Sequence, residues 1–257
     1  MTEWEKYKAS SFTRIQEIVS ANVLASQLSI QLVENKHITA LYLSQLAYFS
    51  FDKMRAKLSE FGATRLSFYD HEGTQGFFAE FSDMAVVSFR GTQLDQVDDL
   101  KSCFTFWKVP FGNIKVHKGF AQSIEKLVPN ILVDLEKLPS NKRVVFVGHS
   151  LGGALSTLLC AKYKPAELCT FGAPRVAGPE LAEHISDIEY NRIVTQWDLV
   201  RWLPPNIPYI LPYVHSGTRH VLPVKWSWNP KKFIHPHLLV TYLNALLIEE
   251  DKNNTLV

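Results

Sequence analysis

An α/β fold built on a central, mostly parallel sheet is what this 257-residue sequence predicts, and three observations carry it. From residue 143 onward, RVVFV (143–147), LCTF (168–171) and YNRIVT (190–195) alternate with helical or loop stretches, the rhythm of βαβ units. Upstream, RLSFYD, GFFAEF and MAVVSF follow one another with only DHEGTQG and SD at their joints, which reads as an antiparallel meander. Hydrophobic residues make up 46% of the chain, enough to bury a large core under helices on both faces of such a sheet.

Each element follows from its own pattern. Ile15, Ile18, Val19, Val23 and Leu24 form a helical stripe within 11–33, and ENKH (34–37) breaks it. A second helix is predicted from about Ile38 to Leu58, through Leu41, Leu46 and Phe49. After the meander, 120–138 reads as helix and PSNK as a loop. VVFV is apolar without alternation, as a strand covered on both faces must be. GAPRVAGPELAEHI begins a loop and helix between the later strands. The stretch 197–236 holds four of the six tryptophans and seven of the thirteen prolines, so it is expected to be mostly aromatic-rich loop. PHLLVTYLNALLIEE closes the chain with helical spacing. Without a repeat or linker, 1–257 reads as one domain, with the helices of 1–60 packing on it.

Composition removes several classes of function. A net charge of +2 argues against nucleic-acid binding, which needs a concentrated basic field. Cys103, Cys160 and Cys169 match no zinc spacing and cannot all pair, so buried thiols in a reducing compartment are expected. MTEWEKYKASSF mixes acidic with basic residues, and Gln16, Glu17, Asn22 and Gln27 interrupt the next stretch, so no secretory leader is read. No stretch has the uncharged length of a transmembrane helix. The expected location is cytoplasmic, or secreted if a leader has been removed.

The chemistry is written in VVFVGHSLGGAL, residues 144–155. Gly148-His149-Ser150-Leu151-Gly152 fits G-x-S-x-G between a strand and a helix. A serine on such a sharp turn projects its oxygen above the sheet edge, and a side chain two residues to either side would clash, so glycine is wanted at both places. The following helix aims its N-terminus at the site, which makes the Leu151 N–H a natural oxyanion donor.

A serine needs a base, and the base needs a carboxylate to hold its tautomer. Acid and base follow the serine in that order in α/β-hydrolases. Asp198 comes directly after the strand-like YNRIVTQW, where catalytic loops gather, whereas Asp187 and Glu189 precede that strand. For the base, His184 would break the order and His215 and His220 fall in the aromatic loops. His235 and His237 flank Pro236 ahead of the last helix, and residue chemistry alone does not separate them.

The motifs together resemble the class 3 lipases, the family that includes filamentous-fungal triacylglycerol lipases and plant relatives. VVSFRGT (86–92), VHKGF (116–120), GHSLGG (148–153) and FGAPRV (171–176) stand in the family's order. WDLVRWLPP (197–205) follows, and then a histidine with a tyrosine five residues later, His237 and Tyr242. The resemblance covers roughly 40–245 and implies an α/β-hydrolase fold.

Residue by residue, the resemblance implies Ser150 as nucleophile, Asp198 as acid and His237 as base, the tyrosine spacing favouring His237 over His235. Thr92 would supply the second oxyanion donor, and Asp99, beside Asp98, would help order that loop. The family's lid falls on 93–112, where Leu94, Val97 and Leu100 share one helical face. That segment is either an amphipathic flap over an acyl groove or a helix packed permanently on the core. Ala177-Gly178 replaces the family's Gly-Asn after PRV, and the aromatic segment 202–233 is expected to shape the leaving-group or acyl side of the pocket. The implied activity is hydrolysis of lipid carboxylic esters, foremost triacylglycerols at a lipid–water interface, with no cofactor and no metal. The alternatives are a soluble carboxylesterase or phospholipase A1, or a catalytically silent lipid-binding module.

Overall fold

The computed structural model describes residues 36–91, 107–224 and 235–254. The expected helix within 11–33, Cys103, and the expected lid up to residue 106 lie outside these residues.

Seven strands form one sheet. The meander comprises β1 (Arg65–His71), β2 (Thr74–Glu80) and β3 (Met84–Phe89), paired antiparallel as the sequence predicts. Glu72 and Gly73 join β1 to β2 with φ of 49° and 81°, and two positive φ values suit a tight hairpin. A separate hairpin, β4 (Lys108–Phe111) with β5 (Ile114–His117), leads into a helix that begins at Lys118. Residues 108–111, the end of the expected lid segment, are thus strand, with Phe111 buried. The parallel part adds β6 (Arg143–His149), β7 (Glu167–Phe171), β8 (Glu189–Thr195) and β9 (Thr218–Leu222). The order is β1-β2-β3-β6-β7-β8-β9, parallel from β3 onward.

The helices cover both faces. Helices α1 (Lys36–Leu46), α2 (Phe51–Glu60) and α7 (Leu239–Asn254) contribute to the core on one side. Helices α3 (Lys118–Glu125), α4 (Val128–Glu136), α5 (Leu151–Leu159) and α6 (Pro179–His184) lie on the other. Strand β6 shows why its sequence does not alternate: Val144 and Phe146 enter one core, Val145 and Val147 the other. Each such fully buried apolar side chain stabilises the fold by roughly 1.5–3 kcal/mol.

Two expectations need correction. The helix expected over Ile38–Leu58 is two helices: Tyr48 N and Phe49 N bond back three residues, to Gln45 and Leu46, and Ser50 turns extended. Both helices keep an apolar side on the core, so hydrophobic spacing passes across the break. The helix expected over 120–138 is α3 and α4, because Pro129 lacks the N–H a continuous helix would need there. The stretch 197–236, expected to be mostly loop, is so among the described residues, and within it lies β9, whose mixed exposure suits an edge strand.

Candidate active site

Strand β6 ends at His149 and α5 begins at Leu151, so Ser150 alone makes the turn. Its φ of 58° and ψ of −129° lie where a residue bearing a Cβ is strained. The surroundings enforce this: Ser150 N–H donates to Phe171 O at 2.9 Å, and its carbonyl accepts from Ala154 N–H. A Cβ on Gly148 would collide with the backbone of Gly152, and one on Gly152 with the carbonyl of Phe89. Leu151 begins α5, so its N–H has no partner within the helix and faces the elbow.

Ser150, His237 and Asp198 come together although β6, the loop after β8 and the turn before α7 supply them separately. Ser150 Oγ–H donates to His237 Nε2 at 2.8 Å, and His237 Nδ1–H donates to Asp198 Oδ2 at 2.7 Å. All three are buried, with exposures of 1%, 2% and 1%. Tyr242 Oη–H adds a 2.6 Å bond to Asp198 Oδ2, and Val200 N–H a 2.9 Å bond to Oδ1. Burial by itself raises the Asp198 carboxyl, but the neighbouring His237 and these hydrogen bonds outweigh it and hold the carboxyl below the usual aspartate range. Burial first, and then the same carboxylate, push the Tyr242 phenol far up. Gly172 of FGAPRV lies against this cluster with φ of 58°, and a Cβ there would sit 2.5 Å from Asp198 Oδ2 and 2.9 Å from His237 Nδ1.

The turn His235–His237 is fixed through its carbonyls. Thr195 Oγ1–H donates to Pro236 O at 2.6 Å, Thr241 Oγ1–H to His235 O at 2.5 Å, and His149 Nε2–H to His237 O at 2.7 Å. Burial first, then the adjacent His237, lowers His149 to about 3, so its ring is neutral and carries its proton on Nε2. Its Nδ1 accepts from Tyr48 Oη–H at 2.8 Å, and Tyr48 Oη packs against Gly91, where a Cβ would lie 2.1 Å from it. Tyr48 and His149 therefore connect the turn that holds His237 to Gly91, which precedes Thr92.

The structure brings Ser150, His237, Asp198 and the start of α5 to one place. Thr92, Asp98 and Asp99 lie outside the described residues. The other candidates lie elsewhere: His215 Nε2–H donates to Arg201 O at 2.7 Å, and His220 pairs with Asn191. Asp187 pairs with Lys164, and Glu189, at the far end of β8, with Lys36. Tyr48 and His149 were not predicted as site residues, and Tyr242 served only to mark His237. For His149 a signal existed, its place beside the nucleophile. For Tyr48 there was none. Among the described residues no group of three or more His, Cys, Asp or Glu could hold a metal ion, Cys160 and Cys169 are free and buried, and no helix is long and apolar enough to cross a membrane.

Residues 86–207 match the family model "Lipase (class 3)". A lipase of Rhizomucor miehei is 37% identical over 127 residues, which are 43% of this chain and 34% of that protein. A lipase of Rhizopus oryzae is 32% identical over 155 residues, 52% of this chain and 39% of that protein. The chain thus spans between 34% and 39% of the length of these curated relatives. The solved structure of the Rhizomucor miehei triacylglyceride lipase superposes with a TM-score of 0.59 at 25% identity, covering 73% of this chain and 79% of that one.

Proposed function

We propose, from the match of residues 86–207 to the class 3 lipase model, that this chain is a member of that family and a serine hydrolase of lipid carboxylic esters, acting as a triacylglycerol lipase. The observation that carries the reading is the unbroken hydrogen-bonded line from Ser150 through His237 to Asp198, set on a strained elbow.

In this reading His237 Nε2 takes the Ser150 proton as Oγ attacks the ester carbonyl, and Asp198 stabilises the imidazolium that forms. The Leu151 N–H and Thr92 hold the oxyanion, Thr92 being placed there by its position after Gly91 in RGT. His237 then gives its proton to the leaving alkoxide, leaving an acyl-Ser150. Water, deprotonated by His237, attacks the acyl carbon and releases the fatty acid and the free serine. No step draws on a cofactor.

A fluorophosphonate probe tests the nucleophile. Label is expected on the native protein and absent from Ser150→Ala, whose kcat falls by about 10⁶-fold. His237→Ala is expected to abolish turnover while His235→Ala retains it. No label on the native protein, or equal label on Ser150→Ala, leaves a silent lipid-binding fold. Rates on esters of increasing chain length then fix the substrate class: a rise at the solubility limit supports a lipase, saturation below it a soluble esterase, and preference for phospholipid vesicles a phospholipase.

A further inference from the structure

Beside β8 and β9, four arginines line one cavity of about 220 Å³, whose lining includes none of Ser150, Asp198 and His237. Arg175 follows β7, Arg192 lies in β8, Arg201 in the turn Val200–Trp202, and Arg219 in β9. Arg192 and Arg219 stand directly opposite each other in the strand register. Like charges in that relation repel, so the pair costs stability unless something answers it. Nothing among the described residues does. No carboxylate lines the cavity, and no described ion pair involves any of the four.

Their hydrogen bonds leave donors over. Arg192, only 7% exposed, uses Nε on Ser216 O, and Arg175 uses Nη1 on the carbonyls of Trp202 and Pro204. Arg201 uses Nη2 on Gln196 O at 2.9 Å, and its Nε is buried with no partner among the described residues. The Trp202 ring, with the guanidinium carbons of Arg175 and Arg201 at 5.6 and 4.8 Å from its centroid, braces both groups. His215, on the same wall, is lowered to about 3, by burial and then by Arg192, and so adds no charge. Burial, with Arg219, Arg175 and Arg201 nearby, also lowers Arg192.

We propose that this cavity is a binding site for a phosphoryl group, a phosphomonoester or an anionic phospholipid headgroup. A group carrying close to two negative charges and three acceptor oxygens answers several guanidinium forks at once, as a single carboxylate does not. The chain that follows Arg201 favours the lipid-borne form: Trp202, which lines the cavity, and Ile207, Tyr209 and Ile210 further along are exposed by 52%, 44%, 102% and 80%. The site does not depend on Ser150, so its failure and that of ester hydrolysis are separable.

The test titrates inorganic phosphate into the protein at constant ionic strength, with chloride as control, following the melting temperature and the heat of binding. A saturable rise with phosphate but not chloride is expected. Arg219→Ala, at an exposed position, is expected to weaken it about tenfold, the loss of one charge-assisted contact, and Arg192→Met to weaken it further. Equal effects of phosphate and chloride, or unchanged phosphate affinity in folded Arg219→Ala, overturn the proposal; Arg219→Ala decides it even where Arg192→Met does not fold. Sedimentation of Ser150→Ala with phosphatidylcholine vesicles, with and without phosphatidic acid, distinguishes the source. Recruitment by phosphatidic acid, competed by phosphate, supports the site with a lipid ligand. Phosphate binding without recruitment supports it with a soluble one.

Discussion

Tyr48 Oη donates to His149 Nδ1 and packs against Gly91, so one phenol connects the residue before Ser150 to the residue before Thr92. Tyr48→Phe keeps the ring but leaves the buried His149 Nδ1 without its donor. It is expected to cost about 1–3 kcal/mol of stability and to lower kcat with KM unchanged, because the lost contact positions groups used in the transition state. Denaturant titration and a kcat-against-KM comparison check both; a change in KM alone would refute the positioning role. Tyr242→Phe removes one of the hydrogen bonds that hold down the Asp198 carboxyl, and kcat is expected to fall about tenfold in steady-state assays. Ser150, Asp198 and Leu151 were legible because each sits beside a strand end that hydrophobic runs reveal. His237 was separated from His235 only by likeness to a family, since both share one short turn. Tyr48 was illegible: it is 101 residues from His149, and no local pattern marks a tyrosine at a helix break as a hydrogen-bond partner.

At the scale of elements, the elbow works because α5 closes tightly on β3 and β6. Leu158 of α5 is fully buried in the core on that face. Leu158→Ala removes apolar contacts and leaves a cavity, with an expected loss of about 2–5 kcal/mol, read as a lower denaturant midpoint at constant slope. The meander and the parallel strands were readable because burial imposes a period of two, or an unbroken apolar run, on each. The breaks at 47–50 and 126–127 were not read, because the helices on either side keep an apolar face on the same core. Pro129 was the one available signal for the second break. Strand β9 escaped notice because an edge strand amid prolines and aromatics carries little alternation.

At the scale of the whole molecule, one buried and two half-buried imidazoles govern acid stability. His149 and His215 are lowered to about 3 and His37 to about 4, burial being the largest cause in each case. Below about 6.5 the unfolded chain binds these protons and the folded one does not, so stability is fully present above that pH and is lost as pH falls. The slope is up to ~1.4 kcal/mol per pH unit for each imidazole, and Asp198, whose folded value is depressed, adds its loss only at still lower pH. Denaturation at pH 7, 6 and 5 should show a falling midpoint; a flat profile would contradict the neutral histidines. The sequence by itself determined the meander, the strands β6 to β8, the elbow and the order of serine, acid and histidine, because each is written in neighbouring residues whose burial or turn geometry is local. Only the tertiary structure decided which imidazole meets Ser150, that Tyr48 reaches His149, and that Arg192 and Arg219 stand side by side. Those meetings depend on strand order and on where helices break, and packing between distant segments sets both.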